Sequence, residues 1–413
     1  MQIATLRETL QAAFFQWGWL LVAVLPLAQL GGRTLYTVLV SVCVLWGLPG
    51  LWSRRDRLDR ATTLLYLTLL GVTLLGIPGS VDPAGGYRIW AQFAVQTSTL
   101  LLMQAALRES PVQLDRLFDA MALSSGITLV GLYLLLPYYW LGWSGQPFDP
   151  STQLREDNLP FLLVFLLGWL QRHGDRHRSH GAMAGVTAAV LGYIVISEGR
   201  AALLGMIAGL AVFCWSVLGW RLRWVVPAVV LVLVVGIAAN TGAFHKVEQA
   251  SYHHSLDSFT TGRSILWRQA LAHPPARSWL GVGIGNGHHA TEVLSFEIGG
   301  ARMQVKHLHN FLMDAWYETG ILGVGLLVAL IGIVLGRLGW VWQRLSAGDR
   351  QRAGVLLAAA VALITAGMLS FSYTSRQLAC YLFVCLGGLS GIGRTRDVRA
   401  TPPADGHKDP DKR

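Results

Sequence analysis

The sequence predicts an all-α polytopic membrane protein with about twelve transmembrane helices, and three observations carry that reading. Of 413 residues, 53% are hydrophobic and only 14% charged, against roughly 25% charged in a soluble domain. Mean hydropathy is +0.45. Apolar runs near the ~20 residues needed to cross the hydrocarbon core recur along the whole chain. So low a charge content excludes a string of soluble domains, and the apolar excess excludes disorder. The 16 Trp and 46 Gly agree, since Trp anchors helices at the interface and Gly lets them approach closely in lipid.

Hydropathy places the spans at 14–30, 34–52, 61–78, 89–107, 118–140, 159–171, 182–197, 201–220, 224–240, 310–336, 353–372 and 376–393. The first lacks a small-residue cleavage site and reads as an anchor, not a removed signal peptide. Residues 1–240 then hold helices one to nine, 241–309 form a large loop domain, and 310–393 hold helices ten to twelve. The tail 394–413 reads as disordered, and 141–158 is a second long connection on the same side as the loop domain. No repeat with a period of 20–50 residues is present.

Charge fixes the expected orientation. One set of connections carries Arg54, Arg55, Arg57, Arg60, Arg108, Arg116, Arg172, Arg176, Arg178, Arg221, Arg223, Arg337, Arg344, Arg350 and Arg352. With Arg7 and the tail, that side has 22 of the 33 basic residues and 12 acidic ones, while the other side has 11 of each. Positive loops stay in the cytoplasm, so both termini are expected inside. The formal +10 is therefore a topology signal and not a nucleic-acid footprint. Cys43, Cys214, Cys380 and Cys385 lie in apolar runs without metal or redox spacing, and read as small packing residues.

Eight of twelve histidines (His245, His253, His254, His273, His288, His289, His307 and His309) lie in or beside the outer loop. None has the HExxH or i, i+4 spacing that sets two imidazoles on one helical face, so no metal site is expected. His309 stands apart because Asn310 and a long apolar helix follow it. On a helical wheel Trp316, Gly320 and Gly323 share its direction, and the two glycines would admit a neighbouring helix. A neutral imidazole at such a boundary is a candidate general base.

Arg200 is the second candidate. Ser197-Glu198-Gly199-Arg200 is the only polar break between two spans, and a charge there must snorkel, pair or serve a ligand. Glu198 is one candidate partner, as an alternative to a ligand, and Gly199, Ala201 and Ala202 leave room for a bulky group. Arg263 opens the third element, 261–271, whose apolar residues recur at helical spacing. It reads as an amphipathic helix on the membrane surface, capped by Thr260 or Thr261. Gly281-Val-Gly-Ile-Gly-Asn-Gly287 follows. It is no dinucleotide fingerprint, but its amides suit an anion. DxD occurs once, in the tail, no P-loop or GxSxG is present, and no span holds two carboxylates suited to a proton or cation relay.

His309-Asn310, nine residues, then Gly320-Ile-Leu-Gly323 resembles the His-[Asn/Ser/Gly]-x9-Gly-x-x-[Gly/Thr/Tyr] pattern of the bacterial O-antigen ligase and O-antigen polymerase superfamily. The resemblance extends to Arg200 in Arg-Ala-Ala-Leu-Leu-Gly, to Gly262-Arg263-x3-Trp267, to the Gly-rich stretch and to one large loop before the motif span. It implies a GT-C-like fold in the bacterial inner membrane with the site facing the periplasm. The implied reaction is inverting, without metal or cofactor, and takes an undecaprenyl-pyrophosphate-linked glycan. In a ligase the acceptor is a sugar hydroxyl of lipid A–core.

On that resemblance His309 takes the acceptor proton and Arg200 and Arg263 bind the diphosphate, a task that suits the planar guanidinium. Arg88, Arg302 and Arg376 are further candidate phosphate contacts. Ligase is the leading reading, because length and loop size favour it. O-antigen polymerase, protein O-oligosaccharyltransferase and a non-enzymatic carrier of lipid-linked glycan remain alternatives.

Overall fold

A computed structural model describes residues 9, 13, 19–107, 111–140, 156–174, 176–197, 199–219, 262–298 and 301–394. The protein is a polytopic helical membrane protein. Among the described residues five helices are long and apolar enough to cross a membrane: Thr34–Arg57, Leu114–Leu135, Arg178–Ile196, Arg200–Leu218 and Phe311–Arg344. Arg60–Leu75 and Arg376–Ile392 are apolar but shorter. Helices overlie every predicted span except 224–240, which lies outside the described residues, as do 141–155 and the tail beyond Arg394.

In chain order the helices are α1 (Trp19–Ala23), α2 (Leu25–Ala28), α3 (Gly32–Leu51), α4 (Arg60–Leu75), α5 (Pro83–Thr97), α6 (Thr99–Leu107), α7 (Pro111–Trp140), α8 (Leu159–His173), α9 (Arg176–Ile196) and α10 (Arg200–Phe213). After the undescribed segment come α11 (Arg263–Ala272), α12 (Thr291–Leu294), a short antiparallel hairpin of β1 (Ser295–Ile298) and β2 (Ala301–Gln304), α13 (Phe311–Val341), α14 (Ala347–Gly367) and α15 (Arg376–Arg394).

The centre of the bundle is α14 with α15. Residues 378–389 of α15 are buried without interruption, the pattern of a helix enclosed by others, and α5, α6, α13 and α14 surround it. Helix α10 lies on α14 through small residues. A β-carbon at Gly205 would sit 2.8 Å from the Ala362 carbonyl oxygen, and one at Gly209 2.9 Å from the Ala362 Cβ. This is the close small-residue contact that helices use where no hydrophobic drive separates them from lipid. Outward-facing Leu64, Leu67, Leu123 and Leu134 are exposed, as hydrocarbon contact requires.

Two predicted spans differ in detail. The stretch 89–107 is not one helix: it breaks at Ser98 into α5 and α6. Thr97, Ser98 and Thr99 turn their hydroxyls onto the Phe93, Ala94 and Gln96 carbonyls, and three such back-bonds in a row bend a helix. The first span is likewise divided, into α1 and α2, with Pro26 in the first turn of α2. All four cysteines are buried and free.

Charges sort to the two ends of the bundle. At one end Arg172 and Arg352 share Asp115, at 2.7 and 2.6 Å, and Arg337 pairs with Asp59. The opposite end carries the first residues of α10, α13 and α15.

Candidate active site

His309 is not on the helical wheel of the span that follows it. It precedes the cap, and at φ 55° it is the one non-glycine residue with positive φ among those described. Asn310 is the N-cap of α13. Its Oδ1 accepts the Leu312 and Met313 amides, both at 3.1 Å, which satisfies donors that the first helical turn leaves open. The imidazole is therefore aimed by the turn 307–310 and not by helical phase. His309 donates its backbone N–H to His307 Nδ1 at 3.2 Å, and the two rings lie 4.1 Å apart at 45°.

Gly320 has a role other than the predicted helix contact. Its φ of 67° and ψ of −169° kink α13. An unbroken helix would bond the Ile321 and Leu322 amides to the Tyr317 and Glu318 carbonyls. Here those carbonyls accept the Val282 and Gly283 amides at 3.0 and 2.9 Å. The Ile321 and Leu322 amides turn to the Ser278 and Trp279 carbonyls at 3.0 and 3.3 Å. The kink opens four backbone groups and the loop 278–283 satisfies all four, so nothing polar is orphaned. Gly323 faces its own helix: a β-carbon there would meet the Thr319 side chain.

Two amides of the Gly-rich stretch are taken up from inside the fold, by a carboxyl group of α13. Glu318, only 8% exposed, accepts the Gly285 amide on Oε2 at 2.8 Å and the Gly287 amide on Oε1 at 3.1 Å. Tyr373 donates its hydroxyl to Oε2 at 3.0 Å. Burial first, then the adjacent Glu318 carboxylate, push the Tyr373 phenol well above its ordinary value and keep it a donor. Asn286 grips the backbone of Asp82 from the other side, accepting its amide at 2.7 Å and donating to its carbonyl at 3.1 Å.

One turn earlier on α13, Asp314 is also buried and accepts the Leu308 amide at 2.8 Å. The expectation that no span buries two carboxylates is thus corrected: α13 buries both, because the folded loop and the 370–373 segment, not lipid, cover that face.

Helix α11 forms where predicted, but its start is Gly262 in the left-handed region, with no side-chain cap. Thr260 and Thr261 lie outside the described residues. It does not simply lie on a surface. Leu266 and Ala270 are buried in a small second core with Val293, Leu294, Leu308 and Tyr317. The Trp267 indole N–H donates to the Leu308 carbonyl at 2.9 Å. Arg263, half-buried, is the first residue of this helix, so the element that carries it is bonded to the residue before His309.

Arg200, also half-buried, begins α10. Its candidate partner Glu198 lies outside the described residues, and Glu156 packs against the neighbouring Gly199. The next two residues reach the loop before α15 and the first turn of α15, Asp157 bonding Ser370 and Asn158 donating to Gln377 at 2.8 Å. The end of α14 and the first turn of α15 meet the start of α13, where Phe311 lies against Gly367 and Leu378 flanks the same glycine.

The start of α10 is thereby joined, residue to residue, to the end of the bundle that carries His309. Arg376 begins α15 and donates to Thr37 at 2.9 Å. Arg88 is exposed on α5, whose Gly86 packs on Asn286 and Ile284. Arg302 lies in β2, opposite Glu297.

Residues 185–328 match the family model described as O-antigen ligase. Over these residues the chain is similar to the O-antigen ligase family. No curated protein matches the chain. The O-antigen ligase segment includes Arg200, Arg263, Arg302, His309, the Gly-rich loop and the kink at Gly320. Arg88, Arg376 and Tyr373 fall outside it. Sequence reasoning passed over Asp314, Glu318, Tyr373 and Asn286. The available signal was the pair of carboxylates four residues apart in an otherwise apolar helix, since ionisable residues there are costly and mark function or internal pairing.

Proposed function

We propose that the protein is an O-antigen ligase. It moves O-antigen polysaccharide from undecaprenyl pyrophosphate to a sugar hydroxyl of lipid A–core, at the periplasmic face of the bacterial inner membrane. The twelve-span, GT-C-like arrangement with both termini inside belongs to the same reading. One observation carries it: the O-antigen ligase segment holds a half-buried arginine at the start of α10, another at the start of α11 and a strained histidine before α13. Contacts through Trp267–Leu308 and through Asp157–Ser370 and Gly367–Phe311 tie these elements together.

In this reading His309 accepts the proton of the acceptor hydroxyl as its oxygen attacks the anomeric carbon from the face opposite the diphosphate. The glycosidic C–O bond to phosphate breaks, and the bonding pair leaves with the lipid diphosphate. Arg200 and Arg263 take up that charge, bidentately and in a partly dry site where it is worth more than in water. Arg88, Arg302 and Arg376 are secondary contacts to the same group.

Reconstituted with lipid-linked glycan and lipid A–core, the wild-type protein transfers glycan and resists chelators. His309→Ala loses transfer, by about 10²–10⁴-fold for a general base, while still binding donor. Arg200→Ala and Arg263→Ala weaken donor binding. Transfer to a second lipid-linked glycan or to protein in place of lipid A–core replaces the ligase reading with polymerase or protein glycosyltransferase. Undiminished transfer by His309→Ala ends the base assignment.

A further inference from the structure

Among the described residues, the turn that aims His309 is held at three backbone atoms. Leu308 N–H is bound by Asp314, the Leu308 carbonyl by Trp267 and His309 N–H by His307 Nδ1. The third bond is the unusual one, because its acceptor is an imidazole nitrogen and exists only while His307 is unprotonated at Nδ1. A left-handed non-glycine residue is strained, and the hydrogen bond to its amide offsets part of that strain.

We infer that His307 is a positioning residue for His309, fixing the turn and the orientation of its imidazole by accepting the His309 amide. The inference rests on the reading of His309 as the base. His307 is half-buried, and its ring packs at a tilt against that of His309. It borders a cavity of about 10 Å³ with Gly287, Leu294, Asp314, Tyr317 and Glu318, roughly room for one water.

The groups facing His307 decide what a proton there does. From α13 these are Asp314, Tyr317 and Glu318, with Tyr373 behind Glu318. From its own segment the group is His309, and among the described residues the 287–294 side contributes none to the cavity. Asp314 Oδ2 lies 3.7 Å from the same Nδ1 that accepts the His309 amide. A protonated Nδ1 cannot accept, so His307 exchanges the His309 amide for the Asp314 carboxylate and the turn loses its third tie. A proton on His307 releases the turn and a proton on His309 removes the base, so either one stops the reaction.

The test compares wild type, His307→Asn, His307→Phe and His309→Ala in the reconstituted transfer reaction, reading kcat, KM and the acid limb of the pH profile. The Asn Oδ1 can stand where Nδ1 stands and does not titrate. His307→Phe keeps the ring but no acceptor. Expected is a fall in kcat of about 10–100-fold for His307→Phe, the scale of a small misplacement of a catalytic group, with KM little changed. In His307→Asn kcat is restored, with the acid limb moved to lower pH because only one imidazole remains to be protonated. Wild-type kcat and pH profile in His307→Phe, alongside an inactive His309→Ala, overturn the positioning role and leave the base intact. An active His309→Ala overturns the base itself. If His307→Phe and His307→Asn are equally impaired, ring packing and not the acceptor is what matters, and the inference fails.

Discussion

Gly320 lies so close to Trp279 that a β-carbon on it would sit 2.2 Å from the Trp279 carbonyl carbon. The φ of 67° and ψ of −169° at this position are open to glycine alone. Both facts follow from one arrangement, the loop 278–283 inserted into the backbone gap of α13. The eleven-position separation of His309 and Gly320 therefore measures the distance from the imidazole turn to the point where the helix opens.

Gly320→Ala is expected to destabilise the protein by more than the ~1–3 kcal/mol of backbone strain, because steric overlap adds to it. Gly332→Ala is the matched control. That glycine lies on the same helix with nothing within 4 Å of the added carbon, and its change to alanine should be neutral or stabilising by up to about 1 kcal/mol. Thermal unfolding of the two variants in the same detergent makes the comparison. Equal midpoints would mean that the loop does not depend on the kink.

Trp267 couples the Arg263 helix to the His309 turn through a single hydrogen bond to Leu308. Trp267→Phe keeps an aromatic ring in the small core but leaves that carbonyl without its indole donor, a loss of about 0.5–1.5 kcal/mol. A local tie of this kind should cost more in turnover than in global stability. The expected result is a transfer rate lowered about tenfold or more with a small change in thermal midpoint. A variant with full transfer would show that α11 and the His309 turn are positioned independently.

How much of this was legible in the sequence depends on the kind of signal. The helices were, because the apolar content of a run such as 311–341 is a local property. So was the sorting of charge: Arg172, Arg337 and Arg352, assigned to one side by loop counting, lie at one end of the bundle and pair there with Asp115 and Asp59. His309-Asn310 was visible as a motif, but its geometry was not. A positive φ leaves no trace in composition, so His309 was placed on the helix and Gly320 was read as a contact point for another helix.

Asp314 and Glu318 were passed over for a related reason. Four residues apart, they face a folded loop that hydropathy cannot see, and the carboxylate that fills the Gly285–Gly287 amides comes from 31 residues away in the chain. The Ser98 break was missed because Thr97, Ser98 and Thr99 are apolar enough to pass as helix while their hydroxyls compete for its carbonyls.

Asp59 offers a test of the opposite end of the bundle. It caps α4, accepting the Thr62 amide at 2.8 Å, and pairs with Arg337 across 278 residues of sequence. Burial pushes its carboxyl up, but the hydrogen bonds from Thr62 and Arg337 outweigh that and hold it below the usual carboxylate range. A group depressed in the folded state contributes stability in full above its unfolded value, about 3.9 for Asp. That contribution is lost as pH falls through the lower folded value.

Asp59→Asn removes the charge and keeps a good cap, since Asn serves that position as well as Asp. The wild type should therefore be the more stable of the two at pH 6, by a gap that narrows as pH drops below about 4 and closes once Asp59 is protonated in both states. Unfolding midpoints of the two proteins from pH 6 downward read the gap directly. A constant gap across that range would mean that geometry alone, and not the Asp59–Arg337 charge pair, ties α4 to α13.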